Sequence, residues 1–276
     1  MIDIDLNING LVTDALAGQD ERSKRIVMGR YGLGSSKRKT LAALGKEYGL
    51  TRERVRQIQA SAIEAIRSEI KGHKEAIKFL KLTEKYLKDI GNIRRGDLVA
   101  NDFNISLGGK EGVEPLFNKL HFLADALGWP YVEVGNEDWH SVWYAEKSVY
   151  DTAKKIVESL LKAKDHDFDK FLGFATEKFK MSEPQVVNHL IISKRFGVGP
   201  YGNMGADHWV RVNPKTVRDK IYLVLDRSTD PMHFTEIAAN VNELSGKKRA
   251  AATVHNELIK DPRFVLVGRG TYTINV

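Results

Sequence analysis

Arg52, Glu53, Arg56, Gln57 and Ala60 recur at intervals of three and four residues in the stretch following Gly49. In a helix that spacing puts them on one face. Val55, Ile58, Ala62 and Ile66 occupy the complementary face and are apolar. One side of such a helix packs inward while the other offers long side chains that donate and accept hydrogen bonds. The chemistry is recognition of another polar surface, not bond making.

The elements that must hold this face are readable around it. Thr40 to Tyr48 forms a short helical run in which Leu41, Leu44 and Tyr48 share a side. Gly49 suits the left-handed conformation that ends a helix. Gly45 removes side-chain bulk where two helices cross steeply. Thr51 is a good N-cap, because its hydroxyl can accept from a free backbone amide of the next helix. Two short amphipathic helices joined by a tight turn make a helix-turn-helix, whose second helix enters the major groove of DNA.

Three segments carry a more specific resemblance: Asp20-Glu-Arg-Ser-Lys-Arg-Ile-Val-Met-Gly-Arg-Tyr-Gly-Leu33, Thr40-Leu-Ala-Ala-Leu-Gly45, and Leu50-Thr-Arg-Glu-Arg-Val-Arg-Gln-Ile58. Together they resemble region 4 of sigma-70 family transcription factors, which reads the promoter −35 element. The resemblance implies that Arg52, Glu53 and Gln57 contact bases, and that Thr51, Arg54, Arg56 and Lys39 lie near the DNA backbone. The side chains suit those roles. Arg forks onto guanine, Glu accepts from cytosine N4, and Gln pairs with adenine. Gln59 and Ser61 depart from the carboxylate and lysine usual in primary sigma factors. Residues 1–19 form a short acidic and apolar leader, and no aromatic-rich melting helix is read downstream. The expectation is a sigma-like module without promoter-opening activity.

Charge is distributed accordingly. The chain carries a net +7. Residues 19–72 hold 13 Lys and Arg against 6 Asp and Glu, residues 73–212 balance, and residues 213–276 hold 10 against 7. Positive charge concentrated on a helix-turn-helix is the footprint of phosphate binding. The absence of cysteine excludes disulfides and thiolate metal sites. The N-terminal residues lack the basic head and apolar core of a signal peptide, and no apolar run is long enough to span a bilayer. A cytoplasmic, nucleoid-associated protein without a membrane partner is expected.

After residue 72 an architectural repeat emerges. Hairpin-like endings at Tyr131 to Ala145, Phe196 to Val212 and Phe264 to Val276 each follow helix-period segments. Each unit reads as helices followed by a β wing, giving a tandem winged-helix array. The predicted divisions are 1–72, a sigma region-4-like domain; 73–148 and 149–213, winged-helix units; and 214–276, a further winged helix. The predicted fold class is mainly α with small β-hairpin wings.

In the last unit, Arg218-Asp-Lys-Ile-Tyr-Leu-Val-Leu225, Pro231-Met-His-Phe-Thr-Glu-Ile-Ala238, Thr253-Val-His-Asn-Glu-Leu258 and Phe264-Val-Leu-Val-Gly-Arg-Gly270 resemble the HARE-HTH domain. That winged-helix family includes the amino-terminal domain of the RNA polymerase delta subunit. Lys247, Lys248 and Arg249 precede a helix and Arg269 stands at a wing tip, so they form a second candidate nucleic-acid contact. Trp129, Trp139, Trp143 and Trp209 read as core or wing anchors. His233 and His255 read as capping or core residues, and Asp165-His-Asp-Phe-Asp169 as a polar linker with an N-cap.

Enzymatic signals are thin. There is no phosphate loop ending in Lys-Ser/Thr and no Gly-x-Ser-x-Gly elbow. The glycine-rich Gly197 to Gly205 falls inside a hairpin and reads as a wing tip. The expectation is a non-enzymatic protein without cofactor or metal, whose partner is double-stranded DNA, with core RNA polymerase as the alternative. Oligomeric state is not encoded in any of these signals.

Overall fold

Short amphipathic segments punctuated by caps and left-handed glycines dominate the computed structural model, which describes residues 6–34, 37–109 and 111–275. The first helices are α1 (Ile8–Ala17), α2 (Glu21–Tyr31), α3 (Leu41–Tyr48) and α4 (Arg52–Ile70). Then follow α5 (Lys74–Asp89), β1 (Ile93–Arg95), α6 (Gly96–Ser106), α7 (Val113–Leu127), β2 (Tyr131–Glu133) and β3 (Val142–Tyr144). The middle of the chain supplies α8 (Lys147–Leu161), α9 (Phe168–Phe179), α10 (Glu183–Leu190), β4 (Phe196–Val198) and β5 (Met204–Ala206). The chain ends with α11 (Val217–Arg227), β6 (Met232–His233), α12 (Phe234–Ser245), α13 (Ala251–Lys260), β7 (Phe264–Gly268) and β8 (Thr271–Ile274).

The contacts divide the chain into two compact units. The first comprises residues 1–159 and 173–194, the second residues 160–172 and 195–276. In the first, one apolar core draws on both sides of residue 72: Leu11, Ile66, Phe79, Phe103, Phe122 and Trp143 all belong to it and are almost wholly buried. Its sheet has the order β1-β3-β2, with Arg94 opposite Trp143 and Val132 opposite Trp143 on the other side. Strand β1 is absent from the sequence-based expectation, because three residues containing two arginines give no apolar alternation. Those arginines make internal pairs. Arg94 reaches Asp102 at 2.8 Å and Asn188 at 3.0 Å, and Arg95 forks onto Asp97.

In the second unit, Ile221, Val224, Ile237, Val241, Val254 and Leu258 close a core over Phe264 and Tyr272. The sheet order is β6-β8-β7, with a bulge between Leu266 and Gly268. The element order helix, strand, helix, helix, strand, strand from α11 to β8 repeats that from α5 to β3. In both, the first strand pairs with the third. The glycine-rich stretch Gly197 to Gly205 supplies the paired ends of β4 and β5 and the turn between them.

Trp143 and Trp209 are buried, as anchors should be. His233 caps α12, and His255 sits within hydrogen-bonding distance of the Tyr272 hydroxyl at 3.0 Å. Asp167 accepts from the Lys170 amide at the start of α9. Among the described residues, no helix is long and apolar enough to cross a membrane.

Candidate nucleic-acid interface

The helix-turn-helix is built as its residues require. Thr40 caps α3 by accepting from the Ala43 amide, and Thr51 caps α4 by accepting from the Arg54 amide at 3.1 Å. Gly49 ends α3 with φ +64°, a conformation that side chains with a Cβ resist. Gly45 is buried, and a Cβ there would lie 2.6 Å from the Leu50 carbonyl oxygen. The pair is held by a small apolar cluster of Ile26, Leu44 and Val55, with Leu41, Tyr48, Leu50 and Ile58 around it. Further along α4, Ala62, Ile63, Ile66 and Ile70 enter the main core. The inner stripe of α4 is thus anchored over its whole length, and the outer face of its first two turns is exposed.

On that face Arg52, Glu53, Arg54, Arg56 and Gln57 are all exposed. Four of them are paired with neighbours three residues apart. Arg56 grips both Glu53 oxygens at 2.7–3.1 Å, and Arg54 donates to the Gln57 amide oxygen at 3.2 Å. The Arg56 hydrogen bonds hold the Glu53 carboxyl below its usual range and raise the Arg56 pKa. Glu53 therefore stays an acceptor. A base edge would have to replace Arg56 at Glu53 and Arg54 at Gln57. The guanidinium of Arg52 has no such hydrogen bond among the described residues.

Lys39 sets its ammonium on Glu47 at 2.6 Å, which raises its pKa. Its carbonyl accepts from Arg30 at 3.2 Å, and its amide donates to Gly29 at 2.8 Å. The segment entering α3 is thereby tied to α2. The Glu47 and Arg54 pairings escape sequence reading because exposed side chains choose among several partners within reach.

Residues 15–68 match the family model of Sigma-70, region 4. The chain is 52% identical over 52 residues to the RNA polymerase sigma factor RpoS of Coxiella burnetii. It is 47% identical over 51 residues to the RNA polymerase principal sigma factor HrdD of Streptomyces griseus. Against the RNA polymerase sigma factor SigA of a Bacillus species it is 41% identical over 54 residues. These matches cover 18–20% of this chain and 14–15% of each relative, so the chain spans only a small part of the relatives it matches.

The second set of candidate residues lies in the other unit. Lys247 and Lys248 are exposed, and α13 begins three residues after Lys248 with no side-chain cap. Arg249 is more constrained. Its amide donates to Asn242 and its carbonyl accepts from the same side chain, at 2.8 and 2.9 Å. Arg269 is exposed in the β7–β8 turn, beside Gly270 at φ +70°. The sequence expectation groups these four, but the structure separates a half-buried, anchored Arg249 from three exposed cations.

Proposed function

We propose that this protein is a DNA-binding transcription regulator that reads a promoter-like duplex through α4, without promoter-melting or enzymatic activity of its own. The observation that carries this reading is the exposed α4 face, held on a capped and fully anchored helix within the region 4 match. In it Arg52, Glu53 and Gln57 meet base edges, while Thr51, Arg54, Arg56 and Lys39 face the backbone. The repeated order of helices and strands, each closed by a three-stranded sheet, supports winged-helix folds from α5 to β3 and from α11 to β8. The HARE-HTH resemblance supports the same reading of the last unit, with Lys247, Lys248 and Arg269 as a second phosphate contact.

The alternative is an accessory protein docked on core RNA polymerase. The names of the matched relatives, all RNA polymerase sigma factors, favour it. Selection of sites from a random duplex pool at near-physiological salt tests the first reading. The full chain is expected to enrich a motif that Arg52→Ala relaxes at one base pair, with a loss of about 1–3 kcal/mol on the selected site. Equal loss on all duplexes would remove Arg52 from base reading. No enriched motif, with polymerase co-purification that survives nuclease treatment, would favour the docking reading.

A further inference from the structure

Within the first unit, a cleft of about 520 Å³ opens among α2, α4, α7 and the segment around β2. Its volume is that of a small-molecule site. Arg30, Arg38, His121 and Asp125, from α2, α7 and the segment between α2 and α3, line it together with Tyr131, Glu133 and Tyr144 of the sheet. Gln59, two residues beyond Gln57 on α4, also faces it.

Asp125 also lines the cleft, but its carboxylate accepts from the Tyr31 hydroxyl, and the guanidinium of Arg38 is not saturated. Arg38 is held by a bond from its Nε to Asn118 at 2.7 Å and by the Phe117 ring, 4.9 Å from the guanidinium carbon. One of its terminal nitrogens is buried without a hydrogen-bond partner among the described residues. Burial and the charge of Arg30 both disfavour its ionised form. The His121 Nδ1 is likewise buried and unpartnered. A guanidinium with an unused donor, close to a second guanidinium and a neutral imidazole, is stabilised by an anion that accepts several hydrogen bonds.

The sheet residues of the lining are aromatic and acidic. Tyr131 is 50% exposed and lies nearly parallel to Tyr144, 5.5 Å away. The Tyr144 hydroxyl donates to Glu133 at 3.3 Å, leaving the carboxylate able to accept from further N–H groups. Phosphate donors and an exposed ring beside an acceptor match the two ends of a nucleotide: the phosphate is an anion, and the base is a flat ring edged with N–H donors.

We infer that this cleft binds a nucleoside phosphate, with its phosphate on Arg30 and Arg38 and its base on Tyr131 and Glu133. The same phosphate chemistry exists in duplex DNA, so the test must separate the two sources. The full chain would be titrated calorimetrically with AMP, GMP, ATP and GTP, with inorganic pyrophosphate, and with a random-sequence duplex. At least one nucleotide is expected to bind with a Kd below about 1 mM, and more tightly than pyrophosphate. Arg38→Ala is expected to weaken it about tenfold or more. Because Arg38 is packed, Arg30→Gln and the more exposed Tyr131→Ala provide the same reading with less risk to folding.

Nucleotide binding left unchanged by Arg30→Gln and Tyr131→Ala would overturn the inference. So would the absence of saturable nucleotide binding, or loss of duplex binding alone in these variants. A failed nucleotide titration would leave the reading of duplex DNA by α4 intact, since that rests on Arg52, Glu53 and Gln57, which do not line the cleft, and is scored by site selection.

Discussion

His121 shows how a single side chain records its surroundings. Burial, and then the charges of Arg38 and Arg30, lower its pKa from 6.5 to about 3. The folded protein therefore keeps the imidazole neutral over a range in which the unfolded chain protonates it. Between about pH 6.5 and 3 the unfolded state holds the extra proton, so stability falls as pH falls, by up to about 1.4 kcal/mol per pH unit from this group. His121→Phe keeps a ring against Phe117 and Tyr31 but cannot titrate. Its stability, followed by urea denaturation at successive pH values, is expected to decline less steeply than that of the wild type. Parallel curves would show that His121 is not the titrating group. On the α4 face the residue-scale lesson is different. Charge type and spacing were legible for Arg52, Glu53 and Gln57, but the pairing of Glu53 with Arg56 and of Gln57 with Arg54 emerges only when the side chains are placed.

At the scale of elements, the helix-turn-helix depends on two different kinds of glycine and on one cap. Gly49 is needed for its positive φ, because nothing lies within 4 Å of the position its Cβ would take. Gly45 is needed for space, since its Cβ would press on the Leu50 carbonyl, which cannot move without opening the turn. Gly45→Ala is therefore expected to destabilise the region 4 module more than Gly49→Ala, whose left-handed strain is about 1–2 kcal/mol. Thr51→Ala removes the acceptor for the Arg54 amide and is expected to cost about 0.5–2 kcal/mol. Thermal unfolding of the three variants gives the ranking; a Gly45→Ala protein as stable as Gly49→Ala would contradict the steric account.

The whole molecule concentrates its basic excess near the two ends of the sequence, in residues 19–72 and 213–276. If α4 alone meets the duplex, the salt dependence of binding reflects only its own phosphate contacts. If the exposed Lys247 and Lys248 also reach phosphates, their joint replacement by alanine lowers the slope of log K against log salt by about 2. We expect that lower slope, together with an unchanged selected motif, because lysines on phosphates position a protein without reading sequence. Fluorescence anisotropy across a salt series measures it, and an unchanged slope would confine DNA contact to the region 4 module.

Local rules made the helix-turn-helix legible. A cap, a left-handed glycine and two apolar stripes act over a few residues, so Thr51, Gly49, Leu44 and Val55 announce their roles without knowledge of the rest of the chain. The hairpins after residue 130 were legible for the same reason, being turns between short apolar strands. Strand β1 was not, because Ile93–Arg95 becomes a strand only by pairing with Val142–Tyr144, some fifty residues away. Nor did residue 72 mark an end to packing. Ile66, Phe79 and Phe122 share one core because apolar burial is non-directional and accepts any surface that arrives. The cleft around Arg38 belongs to the same class of fact. Its chemistry depends on Arg38 meeting Asn118 and Phe117, and Tyr131 meeting Tyr144, encounters that only the tertiary structure brings about.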